Sequence, residues 1–453
     1  MRLSSLVLPL ASLLLAVVAT TLRSQAPSIV PAQPRAQPAL AFVHVNVIPM
    51  NVPGILRGQT VLVRDGRIVA IGPDRAISLP RDATRIDGRG RYLLPGLVDA
   101  HVHLFDESSI PDFAMYLASG VTTIRNMQGA PLHLRLRDEL ARGLRLGPTL
   151  YTTSAFAEGD AVRSPAEALA FVQKARADGY DAIKLHSPLP PALFHAVAEE
   201  ARRTGMPLVG HAPGKEVSLA EAVASGQRTI EHAESLLQEG TDQQQPNDAD
   251  IEPIVRALAA RSVCVTPTLV VFQNVIRMTE QYPALVGLLA RPELRYVDPA
   301  LRANWQPDSN EYVTRWRGHE TEIPGALAKF QRQFAWMQRL TKALADAGVS
   351  VIAGTDASGA MVLPGFSLQE EIELLHAAGL SRAQALSAAT RDAAACMGGE
   401  REFGTIRVGM RADLLLLASN PLEHLSALAA PVGVMARGRW LPAAQLRNQL
   451  RAR

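Results

Sequence analysis

Cysteine is almost absent: Cys264 and Cys396 are the only two in 453 residues. Two are too few for a disulfide scaffold, and their spacing matches no zinc-knuckle pattern. Both stand in apolar surroundings, where buried free thiols are common, so free thiols are expected, although an exported chain would permit a bridge. Lysine is scarce as well, with five in the chain, and aromatic residues make up only 5%. After the first 26 residues no apolar run is long enough to cross a bilayer. An excess of one charge is missing too. The formal balance is +3, and two of the basic residues, Arg2 and Arg23, lie in the first 26 residues. That near-neutrality gives no argument for a surface built for nucleic acid or for an anionic membrane.

What is present begins with the stretch "MRLSSLVLPLASLLLAVVATTLRSQA". A basic residue, a short apolar run and the small residues Ser24 and Ala26 read as a secretory signal peptide over 1–26, with export to the periplasm or beyond as the consequence. Residues 27–40 are rich in Pro, Ala and Gln and read as an extended tether. Short strand patterns with turn signals follow over 41–95, including the Asp65-Gly66 hairpin turn. A similar group occupies 399–445. The two ends of the chain are therefore expected to build one small β-sandwich.

Between them, over 96–398, apolar β-rich runs alternate with helical patterns. The expected strands are 96–103, 121–126, 148–154, 181–186, 207–211, 228–232, 262–268 and 350–356. Eight β-then-α units predict an α/β fold, a (β/α)8 TIM-type barrel. One connection is overlong: an insert around 269–326 carries several aromatics and is expected as a long loop acting as a lid or a binding element.

In such barrels the chemistry sits at the C-terminal ends of the strands. The run "LLPGLVDAHVHLF" ends the first strand in His101-Val102-His103, two imidazoles on one side of an extended chain. Lys184 lies near the end of the fourth, His211 and His232 end the fifth and sixth, and Asp356 ends the eighth. Each has an ordinary structural explanation taken singly, such as a satisfied core histidine or an Asx turn. Together they converge on one rim, and a metal site explains all of them at once. His186, two residues after Lys184, faces the same side and is a candidate substrate contact.

The order H-x-H, Lys, His, His, Asp on successive strands, with "PGLVDAHVH", "GHAPG", "IEHAES" and "AGTDAS", resembles the amidohydrolase superfamily. Its imidazolonepropionase-related, metal-dependent dipeptidase-like branch is the nearest in pattern. The resemblance implies two divalent metal ions, zinc by preference, held by His101, His103 and Asp356 on one side and by His211 and His232 on the other. It also implies that a CO2-derived carbamate on Lys184 bridges them. Such a carbamate makes physical sense, because desolvation favours the neutral amine that adds CO2, and the product offers one oxygen to each cation.

Water activated by the two cations would cleave an amide bond, with Asp356 carrying the proton from the attacking water to the leaving nitrogen. Arg277, Arg291, Arg295, Arg302, Arg315 and Arg317 crowd the insert. A guanidinium clamp on a carboxylate would favour a dipeptide or an N-acyl amino acid as the small-molecule substrate. The alternatives are a mononuclear deaminase or a cyclic-amide or lactone hydrolase of the same superfamily, and, from another class, a non-catalytic exported binding scaffold. Deaminases of this superfamily place a glutamate shortly after the fifth-strand histidine, and His211-Ala212-Pro213-Gly214 lacks it. A homo-oligomer is expected, without nucleic-acid partners and without a membrane span once the leader is removed.

Overall fold

The computed structural model describes residues 39–281 and 284–451. The expected signal peptide and nearly all of the tether lie outside those residues. Two sheets organise the rest. The first is mixed and draws strands from both ends of the described chain: β1 Leu40–Val47, β2 Leu56–Arg64, β3 Arg67–Pro73, β4 Thr84–Asp87 and β5 Tyr92–Pro95. The second is all parallel: β6 Leu97–Val102, β7 Val121–Asn126, β8 Thr149–Ala157, β9 Ala182–Leu185, β10 Leu208–Gly210, β11 Gln227–Glu231, β12 Cys264–Thr266 and β13 Ser350–Val351. Back in the first sheet, β14 Leu414–Leu417, β15 Gly433–Ala436 and β16 Arg439–Pro442 complete the set.

The mixed sheet runs β16-β15-β14-β5-β1-β2-β3. Its centre is β1, which forks: Leu40 to Val43 pair with β4, and Asn46 and Val47 pair with β5. A forked strand lets the sheet bend over its own apolar face, as a sandwich does. Phe42, Val45, Val47, Val61, Leu93, Leu414 and Leu416 are fully buried on that face. The antiparallel pairing of β14 with β5 joins residues more than 300 positions apart.

The parallel sheet runs β6 to β13 in chain order. All eight expected strands are there, most trimmed by a residue or more at their ends. The ring closes where Ala100 N donates to Ala353 O at 3.0 Å and Asp356 N donates to His101 O at 2.7 Å. Gly354 makes that closure possible, because a Cβ there would come within 2.9 Å of His101 N. Strands buried on both faces read as unbroken apolar runs rather than alternating ones. Val98, Ala100, Val102, Ile124, Ile183, Ile230 and Val265 obey that rule and are fully or almost fully buried.

The insert differs from expectation. Instead of a long loop it is a set of helices, Leu269–Glu280, Ala284–Leu289, Pro299–Asn304 and Glu311–Thr314, leading into the 24-residue helix Ile323–Asp346. Met278, Leu285, Leu288, Trp305 and Val313 pack on Met115, Met361 and Leu363 of the barrel's C-terminal side. Apolar residues too few for an amphipathic stripe in each short helix suffice when the helices share one cluster.

The cysteines also differ from expectation. Cys264, at the start of β12, and Cys396, at the end of helix Arg391–Cys396, form a disulfide across 132 residues, with Cα atoms 6.2 Å apart. Their apolar surroundings are real, but barrel closure brings the two sulfurs together, which local sequence does not reveal.

Candidate metal centre

Residues just past the strand ends meet over one end of the barrel. His101 Nε2 lies 3.4 Å and His103 Nε2 2.9 Å from Asp356 Oδ1. One ligand atom from each of these three residues lies within 4.8 Å of the others. The rings of His101 and His232 are 4.6 Å apart, those of His232 and His211 4.8 Å, and those of His211 and His186 4.7 Å. Lys184 is completely buried, and its Nζ has no hydrogen-bond partner among the described residues. The structure thus brings the six candidate ligands and His186 to one site.

Local backbone explains the aim. Gly210 has a φ of +139°, and a Cβ there would strike the Leu185 carbonyl, so the chain entering His211 can only be glycine. His232 (φ 66°) and Asp356 (φ 59°) take left-handed conformations without being glycine. Such strain costs of order 1–3 kcal/mol per residue and persists where surrounding structure imposes it. Both turns are imposed by backbone bonds: His232 N donates to Thr266 O at 2.8 Å, and Asp356 N to His101 O.

Hydrogen bonding sets which imidazole nitrogen faces the centre. Glu231 Oε2 accepts a hydrogen bond from His101 Nδ1 at 2.9 Å, leaving a buried His101 Nε2 with no hydrogen-bond partner among the described residues. Thr268 has one hydroxyl proton, and it goes to Pro267 O at 2.8 Å. Thr268 Oγ1 must therefore accept from His232 Nδ1, 2.7 Å away, so the His232 lone pair is on Nε2. His186 Nδ1 bonds Glu158 Oε2 at 2.8 Å, and its ring stacks on Phe156 with centroids 4.1 Å apart.

Electrostatics agree with ligand duty. Burial pushes the Lys184 amine down to about 8, with the Glu231 and Asp356 charges opposing. Burial, then the nearby Lys184 charge, holds His101 and His211 well below the usual imidazole range, and burial brings His232 down to about 4. Burial would raise Asp356, but the His103 hydrogen bond and the neighbouring imidazoles outweigh it and hold the carboxyl well below its ordinary range. Neutral imidazoles beside a carboxylate are the protonation states that a divalent cation requires. The donor set, an orphaned buried His101 Nε2 and an orphaned buried amine fit such an ion.

Sequence reasoning missed the residues behind the ligands. Glu231 bonds His101 at 2.9 Å and Arg125 Nη2 at 2.7 Å. Arg125 Nε also holds Ala100 O at 2.7 Å. Asp99 binds Thr355 through N and Oγ1, and burial pushes its carboxyl up to about 7. The available signal was a charge inside an apolar strand: Asp99, Arg125 and Glu231 each interrupt one.

The insert's arginines are largely committed elsewhere. Arg277 and Arg291 pair with Glu370, and Arg317 with Asp308. Arg295 lies over Tyr296 and Arg315 over Tyr312, each 4.7 Å from the ring centroid. These contacts give no support to an arginine clamp on a substrate carboxylate.

Comparison with known proteins agrees with this architecture. An imidazolonepropionase of Aromatoleum aromaticum is 28% identical over 247 residues, 40% of this chain and 60% of that protein. A dihydroorotase of Anaeromyxobacter sp. (strain K) is 30% identical over 169 residues, 34% of this chain and 37% of that protein. The curated relatives are matched over part of their length, down to 15% for the imidazolonepropionase of Stenotrophomonas maltophilia. Among solved structures, a bottromycin amidohydrolase superposes with a TM-score of 0.70 at 26% identity, covering 93% of this chain and 91% of that one. A candidate prolidase from Bifidobacterium longum gives 0.68 at 25%, covering 92% and 99%. A Xaa-Pro dipeptidase with bound methionine gives 0.67 at 18%, covering 89% and 100%, a likeness of fold alone. The model of the amidohydrolase family matches residues 92–441. With the barrel and the rim residues in place, the chain belongs to the amidohydrolase family.

Proposed function

We propose that the chain is a metal-dependent hydrolase of amide C–N bonds, acting through a binuclear centre on a dipeptide or an N-acyl amino acid. His101, His103 and Asp356 would hold one cation and His211 and His232 a second, zinc by preference, with Lys184 as a bridging carbamate. The observation that carries the reading is the orphaned amine of Lys184 among four imidazoles and a carboxylate. A buried ammonium without a partner costs several kcal/mol, and a carbamate shared between two cations removes that cost. Bound divalent cations would supply Lewis acidity and a water of lowered pKa.

The chain's own groups do the rest. Glu231 and Thr268 fix the tautomers of His101 and His232. Asp356 Oδ2, the oxygen that the histidines leave free, takes the proton from the attacking water and returns it to the leaving nitrogen. His186, held by Glu158 and Phe156, would contact substrate beside His211. The helical insert packs on the C-terminal side of the barrel. An exported location agrees with the disulfide, since such bonds persist in oxidising compartments.

Elemental analysis of purified protein, run beside a panel of dipeptides, N-acyl amino acids and lactones, tests the reading. Two metal equivalents and amide turnover are expected. One tightly held equivalent with turnover of lactones alone would favour the mononuclear alternative.

A further inference from the structure

Phe105 follows the candidate ligand His103 by two residues and is 56% exposed. Single exposed apolar residues are ordinary on a protein surface, and Val52, Leu144 and Val408 are exposed here as well. Phe105 differs from them in kind and in place. It is the one aromatic among the exposed large apolar side chains of the described residues. Its ring lies nearly parallel to that of His103, 13° apart in plane, with centroids at 6.3 Å. Phe156 of β8 meets the same imidazole at 79° and 6.4 Å, and stacks in turn on His186 at 4.1 Å. The rings of His186, Phe156, His103 and Phe105 thus follow one another along the rim. The last of them is pinned at its backbone: Phe105 N donates to Ser109 Oγ at 3.1 Å, and Leu104 N to Asn126 Oδ1 at 2.9 Å. Leu104 itself is buried, and Glu107 of the next turn is tied to Arg135 at 2.6 Å. Glu158, the carboxylate beside this row, is spent on His186 Nδ1 and on the amide and hydroxyl of Ser187.

We infer that Phe105, with Phe156, forms an apolar subsite that takes an aromatic side chain of the substrate, so that compounds with a phenylalanine-type residue at the scissile bond are preferred. This rests on the hydrolase reading above and narrows its substrate class. An aromatic side chain laid against Phe105 removes apolar surface of both rings from water, and the ring pair adds attraction beyond the area buried. A small or charged side chain gains neither. Because the Phe105 backbone is already fixed, little conformational freedom is lost when the ring is covered. Apolar burial does not depend on the net charge at the centre, so a cation held by His103 and Asp356 leaves its sign unchanged. The rival occupant of the exposed ring is a second copy of this chain, and the experiment separates the two.

Four dipeptides assayed on zinc-loaded protein cover both sides of the scissile bond: glycyl-L-phenylalanine, L-phenylalanylglycine, glycyl-L-alanine and L-alanylglycine. L-Phenylalanine hydroxamate and L-alanine hydroxamate report on binding by calorimetry, which needs no turnover. The wild type should favour phenylalanine over alanine at least about tenfold in binding and, at one of the two positions, in kcat/KM. Phe105→Ala should erase most of that preference, and Phe105→Tyr should keep it. A preference unchanged in Phe105→Ala, or an equal loss on the phenylalanine and alanine compounds, would overturn the inference. So would a lower sedimentation coefficient for Phe105→Ala, which would show that a second copy covers the ring. Hydroxamate preference that depends on Phe105, with no dipeptide cleaved, would support the subsite while overturning the hydrolase reading. Cleavage of the dipeptides without aromatic preference would do the reverse.

Discussion

At the scale of single residues, the centre is a balance between burial and charge. Asp356 touches two imidazoles through one oxygen and keeps the other for a proton. Asp356→Asn keeps the shape and a weaker ligand but cannot accept that proton. Metal content by elemental analysis should persist while kcat falls about a thousandfold; wild-type turnover in this variant would remove the aspartate from the chemistry. Lys184→Ala should lower the metal content, and short carboxylic acids added to the buffer should restore part of it, because they can occupy the place of a carbamate. Glu231 receives His101, Arg125 and Thr229 at once without exposure to water. Glu231→Gln should weaken metal affinity about 10- to 100-fold in a chelator competition. It should also lower Tm, since Arg125 then lies buried without its counter-charge. The candidate ligands were legible in the sequence because each stands at or near the end of an apolar run. Glu231 was not, because its partner His101 is 130 positions away.

At the scale of elements, strands were easier to read than the insert. A barrel strand buries both faces, so an apolar run of five or six residues marks it wherever it lies. The helices of the insert carry weaker signals, although Asp298 and Asn310 cap two of them and Pro299 opens one. Caps of that kind mark where a helix starts, but without a periodic apolar stripe they do not establish one. Where the insert begins, Glu371 of the helix Ser367–Ala377 accepts from Val270 N at 2.8 Å, filling an otherwise open donor of the first turn.

Burial, opposed by the Val270 and Leu269 amides, pushes the Glu371 carboxyl up to about 8, with the Asp99 charge adding to the rise. The folded-state value lies above the unfolded one, so the folded chain binds the extra proton between them. Stability from this group is therefore complete below the ordinary value of 4.5 and is lost as pH rises through about 8. The wild type should lose about 2 kcal/mol from this group between pH 6 and pH 8. Glu371→Gln should flatten that decline in Tm measured across the range; an unchanged slope would exclude Glu371 as its source.

At the scale of the whole molecule, closure of the ring decides what no single segment specifies. The disulfide is one result. In the chain-entropy view, tying residues 132 apart restricts the unfolded state by roughly 4–5 kcal/mol. Cys396→Ala, or reduction of the wild type, should therefore lower Tm clearly in calorimetry while leaving the metal content unchanged, because the bond lies at the opposite end of β12 from Thr266 and Thr268. Equal stability in both states would mean that the bridge constrains nothing.

By itself the sequence determined the barrel, the mixed sheet's strands and the six rim positions, since each follows from patterns spanning five to ten residues. Only the tertiary structure decided that Glu231 holds His101, that Asp99 binds Thr355 across 256 positions, that the cysteines bond, and that Arg277 and Arg291 of the insert pair with Glu370. The reason is physical: periodicity and turn chemistry act along the chain, whereas the partner of a buried charge is whichever group ring closure leaves within hydrogen-bond reach.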